Sequence, residues 1–267
     1  MTDHLQARTI ADFGEQWTAY PDNDGFFGSA ALFNDIFEPL VSDRDVRGKR
    51  VAEIGAGTGR FVNVLARAGA THIVAVEPSS AFDVLRVNTK EFSERITYLA
   101  VTGEHLPPDG TLDFVFIIGV LHHIPDPGPV VSAAFHALRP GGRLAVWVYG
   151  REGNTLYLLL ARSMWWCTRR LPHGALAVLV SALYPVFWCY LQAARWLPLP
   201  LASYMRRVML PLTPAKRRVV IYDQLNPAYA KYYTRDEARE ALAKFGFADL
   251  RLHHRHGYSW TVVGTRP

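Results

Sequence analysis

Cysteine is scarce in this chain of 267 residues, which contains only Cys167 and Cys189. Both lie in apolar stretches, so we expect no disulfide framework. The amino terminus also lacks the basic and apolar regions of a secretory signal peptide. These absences predict a reducing, cytoplasmic setting.

Acidic residues are nearly absent from residues 151–231, where 2 Asp or Glu stand against 11 Lys or Arg. The rest of the chain holds 22 acidic and 18 basic residues, so the net charge of +5 is concentrated in this segment. Such an asymmetry fits an anionic membrane surface, an anionic substrate, nucleic acid or a solvated basic face. Within the segment, residues 171–194 contain no charged residue at all and are long enough to span a bilayer.

Three closely spaced glycines are the most informative feature that the sequence does contain. The apolar run Val-Ala-Glu-Ile at residues 51–54 is followed by Gly55, Gly57 and Gly59, and helical spacing of apolar residues resumes at Phe61. Glycine permits backbone conformations and close approaches that a Cβ would prevent. A strand, a turn and a helix in this order predict a nucleotide-binding crevice at the carboxyl end of a parallel sheet.

The spacing of the glycines indicates which kind of nucleotide is bound. A dinucleotide fold uses G-x-G-x-x-G, but Arg60 stands where its third glycine would fall. Glu53 would repel a pyrophosphate and suits a ligand that brings a cation and no phosphate. The stretch resembles the first motif of the class I S-adenosylmethionine-dependent methyltransferases, which has the form V-x-E/D-x-G-x-G-x-G. This resemblance implies that S-adenosylmethionine is the cofactor.

Two later segments extend the resemblance on the adenosine side. Residues 70–77 read as a second strand that ends in Glu77, 22 residues after Gly55, where a carboxylate can accept both ribose hydroxyls. Residues 102–107 resemble the family's Gly-Asp-Ala-Glu-x-Leu-Pro stretch, but Thr102 stands where its Asp usually meets the adenine amine. That contact would fall to the Thr102 hydroxyl, to the backbone of Gly103 or to Glu104.

A fourth apolar strand, residues 112–118, carries the resemblance to the methionine side. Gly-Val-Leu-His-His follows it, as in the family's fourth motif. The resemblance implies that carbonyls near Ile118 and Gly119 receive the methionine ammonium and that His122 and His123 face the reacting methyl group. The two histidines are the candidate catalytic residues, either as a proton-accepting base or only as groups that orient the cofactor and pack the loop.

The resemblance covers residues 45–150 and 232–267 and predicts an α/β fold. We expect a Rossmann-like, seven-stranded methyltransferase sheet with helices on both faces and a largely helical lid inserted after the fifth strand. The predicted parts are an amino-terminal helical cap at 1–49, the cofactor-binding core at 50–150 and 232–267, and the insertion at 151–231. The expected cofactor-binding residues are Glu53, Gly55, Ala56, Gly57, Gly59, Glu77, Pro78, Thr102, Gly103, Glu104, Ile118 and Gly119.

Aromatic residues in the amino-terminal segment are candidates for a lid. Ile10, Phe13, Trp17 and Tyr20 recur at helical spacing. In methyltransferases of this type such a segment commonly folds over the cofactor, so Trp17 and Tyr20 are added to the expected cofactor contacts. The alternative is that both are ordinary packing aromatics.

Histidines at 253, 254 and 256 raise the question of a metal. On a strand His254 and His256 would share a face while His253 points away, and no cysteine or carboxylate completes a ligand set. We therefore expect no metal.

The leading functional hypothesis is methyl transfer to a small-molecule acceptor, at oxygen or nitrogen rather than carbon, as in quinone and natural-product methylases. One alternative is a nucleic-acid methyltransferase that uses the basic insertion as a clamp, although we find no N/D-P-P-Y/W motif. Another is a non-catalytic cofactor-binding scaffold. The sequence leaves the oligomeric state open.

The insertion itself has two interpretations. It is either a self-packed lid over the active site or a surface that touches an anionic membrane and serves a lipophilic or anionic acceptor. We expect no membrane crossing, because one span would separate the last helix and strands from their sheet. The apolar positions are Leu156, Leu158, Leu159, Leu160, Met164, Trp165, Trp166 and residues 175–196, and the cations are Arg169, Arg170, Arg195, Arg206, Arg207, Lys216, Arg217 and Arg218.

Overall fold

The structure is a computed structural model that describes residues 2–155, 157–159, 168, 173–225 and 229–267. The chain divides into two compact units. The first comprises Met1–Asp24, Gly28–Gly153 and Ala228–Pro267, and the second Gly25–Phe27 and Asn154–Pro227. The three parts inferred from the sequence, with their boundaries at 49, 150 and 231, stay a prediction.

A single seven-stranded sheet forms the centre of the first unit. Its order is β3-β2-β1-β4-β5-β7-β6, and β7 runs antiparallel to both of its neighbours. This arrangement confirms the predicted methyltransferase-type sheet, including the hairpin that completes it. The strands are β1 (Arg50–Ile54), β2 (His72–Val76), β3 (Ile96–Leu99), β4 (Leu112–Ile118), β5 (Leu138–Tyr149), β6 (Ala248–Arg255) and β7 (Ser259–Thr265).

Burial of the central strands explains why the sheet needs helices on both faces. Every residue of β4 except Asp113 is buried, as in a parallel strand covered on both sides. Ile54 of β1 lies beside Val76 of β2 and Ile117 of β4 in the strand register. The residues that follow these three strands therefore meet at one edge of the sheet.

The helices of the first unit begin and end at residues that the sequence marks. Thr234 and Glu237 form a capping box, and Gly246, with a φ of 88°, follows the same helix. The helices are α1 (Thr2–Ala19), α2 (Ala30–Phe37), α3 (Arg60–Arg67), α4 (Ala81–Asn88), α5 (Gly128–Ala137) and α8 (Arg235–Ala243). Single 3₁₀ turns lie at Gly25–Gly28, Asp43–Val46, Lys90–Arg95, Gly103–His105 and Leu121–His123.

A charged cluster joins α2 to the β6–β7 hairpin. Arg255 donates to both the backbone oxygen and the carboxylate of Asp35, and His256 Nε2 lies 2.8 Å from Asp35 Oδ1. Burial raises the pKa of Asp35, but the charge of Arg255 and the hydrogen bonds from Arg255 and His256 outweigh it and lower the pKa below its ordinary value. β6 ends at Arg255, and His256 has a φ of 50°. The expectation that His254 and His256 share a strand face is therefore wrong.

The second unit is helical in its described part. α6 (His173–Ala193) and α7 (Pro214–Leu225) pack through Leu176, Val180 and Leu225. A short helix at Ala202–Tyr204 continues as a π-helix at Met205–Met209. The helical character predicted for the insertion is confirmed here. The predicted apolar positions at 156, 160 and 164–166, and the cations at 169 and 170, lie outside the described residues.

Two of the insertion's cations lie inside the second unit rather than on its surface. Arg217 is buried, donates to the backbone oxygens of Met209 and Leu210, and lies 5.1 Å from the centre of the Trp188 ring. Lys216 is buried as well, with its Nζ 4.8 Å from the centre of the Phe27 ring. Aromatic faces and free carbonyls satisfy these charges internally. Neither residue therefore contributes to an outward basic face of the insertion.

Candidate functional site

The glycine turn after β1 is held tightly against its neighbours. The backbone N–H groups of Gly55 and Ala56 both donate to the carbonyl of Val76, at 2.8 and 3.0 Å. Gly55 has a φ of 75°, and a Cβ there would lie 2.4 Å from the side chain of Val120. The first glycine is therefore required both by its backbone conformation and by its contact with the loop that follows β4.

Glu77 lies at the end of β2 and reaches across to this turn. Its Oε2 accepts a hydrogen bond from the Gly57 N–H at 2.8 Å, and its Oε1 accepts one from the Ser79 N–H at 3.0 Å. Pro78 stands half-buried between the two anchored residues. The carboxylate thus lies beside the first crossover of the sheet, where the sequence predicts a contact with ribose.

Glu53 is a fully buried carboxyl group one residue before the end of β1. Its Oε2 has no hydrogen-bond partner in the structure. Burial raises the pKa of Glu53 to about 8, and the charge of Glu77 adds to the rise, while the charge of Arg60 opposes it. An orphaned buried acceptor of this kind suits a ligand that carries a positive charge.

The turn after β3 supplies the third group of predicted contacts. Gly103 is buried, and a Cβ there would lie 2.6 Å from Ile54. The hydroxyl of Thr102 pairs with His105 Nδ1 at 2.9 Å, whereas the buried Oε2 of Glu104 has no hydrogen-bond partner. A cavity of about 420 Å³ adjoins the turn and is lined by Glu104, His105, Leu106, Pro108, Pro129, Ser132, Ala133 and His136.

The loop after β4 places both predicted catalytic histidines in an aromatic cluster. His122 is completely buried, its ring centre lies 3.9 Å from that of Tyr149, and neither ring nitrogen has a hydrogen-bond partner. Burial, together with the adjacent His123, lowers the pKa of His122 well below its ordinary value. Ile118 is buried just before this loop, and the Gly119 N–H donates to the Trp147 carbonyl at 3.2 Å.

The ring of His123 has a defined tautomer. Its Nδ1 lies 2.7 Å from the carbonyl oxygen of Tyr229, and because a carbonyl can only accept, Nδ1 must carry the hydrogen. Burial lowers the pKa of His123 to about 4, although the hydrogen bond to Tyr229 acts in the opposite direction. The imidazole is thus neutral near pH 7, with its lone pair on Nε2.

α1 covers part of this edge of the sheet. The ring of Phe13 meets His123 edge to face, with 4.8 Å between their centres. A Cβ on Gly57 would lie 3.6 Å from Nε1 of Trp17, so the indole sits against the central glycine of the turn. Tyr20 follows the end of α1 and is half-buried. The structure therefore brings Trp17 to the glycine turn, and the role expected of Tyr20 stays a prediction.

Most of the predicted site residues converge on the edge formed by the carboxyl ends of β1, β2 and β4. Sequence reasoning missed three residues that help to build it: Ser79, Val120 and Tyr149. Tyr149 is the last residue of β5 and lies at the same edge. Its position at the end of a predicted strand is the only feature of the sequence that could have indicated this. Within the described ranges, no three His, Cys, Asp or Glu side chains are grouped so that they could hold a metal ion.

Comparison with known proteins places this geometry in a family. The model of a methyltransferase domain matches residues 52–146. An uncharacterized methyltransferase of Mycobacteroides abscessus is 32% identical over 177 residues, which are 60% of this chain and 68% of that protein. The ubiquinone biosynthesis O-methyltransferase of Thiobacillus denitrificans is 28% identical over 174 residues, which are 64% of this chain and 75% of the relative.

Solved structures agree on the fold. The magnesium protoporphyrin IX methyltransferase of Synechocystis, solved with bound SAH, superposes with a TM-score of 0.54 at 17% identity, covering 95% of this chain and 94% of that one. A SAM-dependent methyltransferase of Thermotoga maritima gives a TM-score of 0.53 at 17% identity, with both chains fully covered.

The fold and the glycine turn define a Rossmann-like methyltransferase. The chain belongs to the class I S-adenosylmethionine-dependent methyltransferases and is an enzyme that uses S-adenosylmethionine as its cofactor. The hypothesis of a non-catalytic scaffold is therefore set aside.

Proposed function

We propose that the enzyme transfers a methyl group to an oxygen of a small, lipophilic acceptor and that His123 takes the proton. The observation that carries this proposal is the hydrogen bond from His123 Nδ1 to the Tyr229 carbonyl, which leaves Nε2 as the basic atom. Support for oxygen as the acceptor atom comes from the relatives whose name is ubiquinone biosynthesis O-methyltransferase.

The cofactor-binding residues have separate tasks in this proposal. The buried, unpartnered oxygen of Glu53 faces the cationic methionine end, and the carboxylate of Glu77 accepts the ribose hydroxyls. Glu104 is the acceptor for the adenine amine, because the hydroxyl of Thr102 is already paired with His105. The indole of Trp17 covers the glycine turn and excludes water.

The bound cofactor supplies an electrophilic methyl group on a sulfonium. The acceptor hydroxyl would be methylated at its oxygen and would lose its proton to His123 Nε2. Because the cofactor would leave as a neutral thioether, the task of this chain's residues is mainly to align the acceptor with the methyl group. The low pKa of His123 keeps the imidazole in its proton-accepting form throughout the neutral range.

The aromatic surroundings of the histidines support an apolar acceptor. The rings of Tyr149 and Tyr232 lie 5.3 Å apart, and Tyr149 also contacts Trp147. Flat aromatic faces bind apolar rings well. Such acceptors partition into membranes, and we include in the proposal that this cytoplasmic enzyme touches an anionic membrane surface without crossing it.

The test replaces His123 by Gln and measures methyl transfer to a panel of phenols, catechols and amines. Turnover of hydroxyl acceptors should fall by about a hundredfold to ten-thousandfold, while the affinity for S-adenosylhomocysteine is retained. His72 provides a control, because one of its ring nitrogens also has a hydrogen-bond partner, the hydroxyl of Thr97, but it begins β2 at the edge of the sheet opposite the site. The His72→Gln variant should turn over normally.

Two results would contradict the proposal. One is normal turnover by the His123→Gln variant with intact cofactor binding, which would leave the histidine a packing role only. The other is methylation of the amines alone. In the wild type at saturating cofactor, turnover should not decline between pH 7 and about pH 5, since His123 gains its proton only near its lowered pKa of about 4.

A further inference from the structure

We propose that α6 lies along the surface of an anionic bilayer, with its exposed apolar face in the acyl boundary and nearby arginines at the headgroups. This inference rests on the membrane contact included in the proposed function and is independent of the histidine chemistry. It specifies the segment that makes the contact and its orientation, parallel to the membrane rather than across it.

Among the residues of α6 whose side chains the structure describes, the exposed ones are mostly apolar and none is charged. Gly174–Ala193 is long and apolar enough to cross a membrane, yet only 17% of its most apolar stretch is buried in the structure. Val178 and Val186 are each 70% exposed, and Leu183 and Trp188 are more than 40% exposed. A helix of 21 residues is about 30 Å long. Exposure of such an apolar face to water is unfavourable, so we expect an apolar partner to cover it.

Cations and a tryptophan accompany this face. Trp196 is 83% exposed directly beside Arg195, and Arg206 and Arg207 are exposed in the π-helix. The sequence contains no Asp or Glu from residue 154 to residue 222. Tryptophan with arginine at the edge of an apolar helix is typical of segments that lie at the headgroups of anionic lipids.

The path of the chain argues against a crossing. Gly150 pairs with Tyr233 in a β-bridge, and the Tyr233 N–H donates to the carbonyl of Tyr149 at 2.8 Å. The chain thus leaves the sheet and returns to it at one point, so it must cross a membrane an even number of times. Among the described residues, α6 is the one helix that is long and apolar enough to cross. An orientation of α6 along the membrane surface needs no crossing, so the chain leaves the sheet and returns to it on the same side of the membrane.

A second copy of the protein is a poorer fit to the same face. In a twofold dimer the same patch occurs on both subunits, so the patch that carries Arg195, Arg206 and Arg207 would meet an equally basic patch on the other copy. Residues 154–222, which include these arginines, contain no acidic side chain that could pair with them. Anionic lipid headgroups provide that missing charge.

The experiment is co-sedimentation of the full chain with phosphatidylcholine vesicles and with vesicles of phosphatidylcholine and phosphatidylglycerol in roughly equal parts. We expect binding to the anionic vesicles at low salt and weaker binding near 1 M salt, where the Debye length is about 3 Å. Val186→Glu should abolish most binding. Arg207→Gln should weaken binding to the anionic vesicles by about fivefold, the share of one cation near such a surface.

Matched controls come from the first unit. Val87 is 66% exposed on α4, and Arg239 is exposed on α8. Val87→Glu and Arg239→Gln make the same chemical changes in the first unit and should leave vesicle binding unchanged. Methyl transfer to a water-soluble acceptor by the Val186→Glu variant should also be unchanged. Failure of the wild type to methylate any hydroxyl acceptor would instead contradict the proposed reaction, and it would leave the membrane contact untouched.

Three results would overturn the inference. The first is no binding of the wild type to anionic vesicles at low salt. The second is equal loss of binding in the controls and in the α6 variants. The third is a concentration-dependent dimer, seen by light scattering, that Val186→Glu dissociates, because the face would then be an interface between two copies.

Discussion

Replacing Glu53 by Gln should change how the stability of the protein depends on pH. Glu53 is fully buried, and its pKa is raised from 4.5 to about 8. At neutral pH the folded protein therefore carries a neutral carboxyl group here, which glutamine resembles in shape and charge. The unfolded chain carries an ionised one.

The sign of the effect follows from proton linkage. The folded state binds the Glu53 proton more tightly than the unfolded state, so this contribution to stability is complete below the unfolded pKa of 4.5. It is lost progressively as the pH rises to about 8 and is constant above that value. The whole change corresponds to about 5 kcal/mol, and about 3 kcal/mol of it falls between about pH 5.5 and pH 8.5.

The assay is urea unfolding of the wild type and the Glu53→Gln variant, without cofactor, at several pH values across this range. Other groups titrate in both proteins, so the difference between the two unfolding free energies isolates Glu53. The variant should become more stable relative to the wild type as the pH rises. Glu91→Gln is the control, because this glutamate has a 70% exposed side chain and should give no such trend.

The same substitution tests the contact with the cofactor. A cation beside Glu53 favours the ionised form, so cofactor binding should release a proton, and the affinity should rise by up to tenfold per pH unit below about pH 8. The Glu53→Gln variant should bind more weakly and without this slope. Parallel stability curves for the two proteins would refute the reasoning, since Glu53 would then ionise alike in the folded and unfolded chains.

The remaining predictions concern cofactor affinity and the charged cluster behind the sheet. Glu77→Gln should weaken S-adenosylhomocysteine binding, measured by calorimetry, by about 1.5–3 kcal/mol, because it removes the charge from the predicted acceptor of the ribose hydroxyls. An unchanged affinity would contradict this role of Glu77. Asp35→Asn should lower the free energy of unfolding at pH 7 by about 2–4 kcal/mol, because it leaves Arg255 buried without its counter-charge. Since the pKa of Asp35 is lowered in the folded protein, its contribution is present above the unfolded pKa of about 3.9 and is lost as the pH falls through the folded value. The difference in unfolding free energy between wild type and variant, measured by urea unfolding, should therefore shrink below about pH 4. A difference that stays constant there would contradict the ion pair.

The sheet and the cofactor edge could be predicted from the sequence because their signals are local. β4 ends in an apolar run of five residues, Glu77 follows the apolar run at 73–76, and Gly55 follows residues 51–54, in which only Glu53 is polar. Once parallel strands are recognised, the residues at their carboxyl ends must be neighbours. This logic predicts that Glu53 and the histidine pair lie at the same edge.

The parts that escaped prediction depend on contacts between distant residues. Asp35 and Arg255 lie 220 positions apart, and nothing near either of them in the sequence indicates the other. Arg217 lies in the interior, where the carbonyls of Met209 and Leu210 and the ring of Trp188 surround it, and its sequence neighbours do not indicate these contacts. A strand pattern through the histidines at 253–256 failed because a turn residue, His256, adopts the left-handed conformation.

The bridge between Gly150 and Tyr233 has a consequence for how this enzyme could have diversified. It joins the two ends of the excursion that the chain makes from the sheet between these two residues. The order and register of β5, β7 and β6 therefore do not depend on the residues of that excursion. Lengthening such an excursion costs little, because the entropy of loop closure grows only slowly with length. Residues 154–225 can thus be exchanged while Tyr229, whose carbonyl meets His123, and the sheet edge that holds Glu53 and Glu77 stay the same.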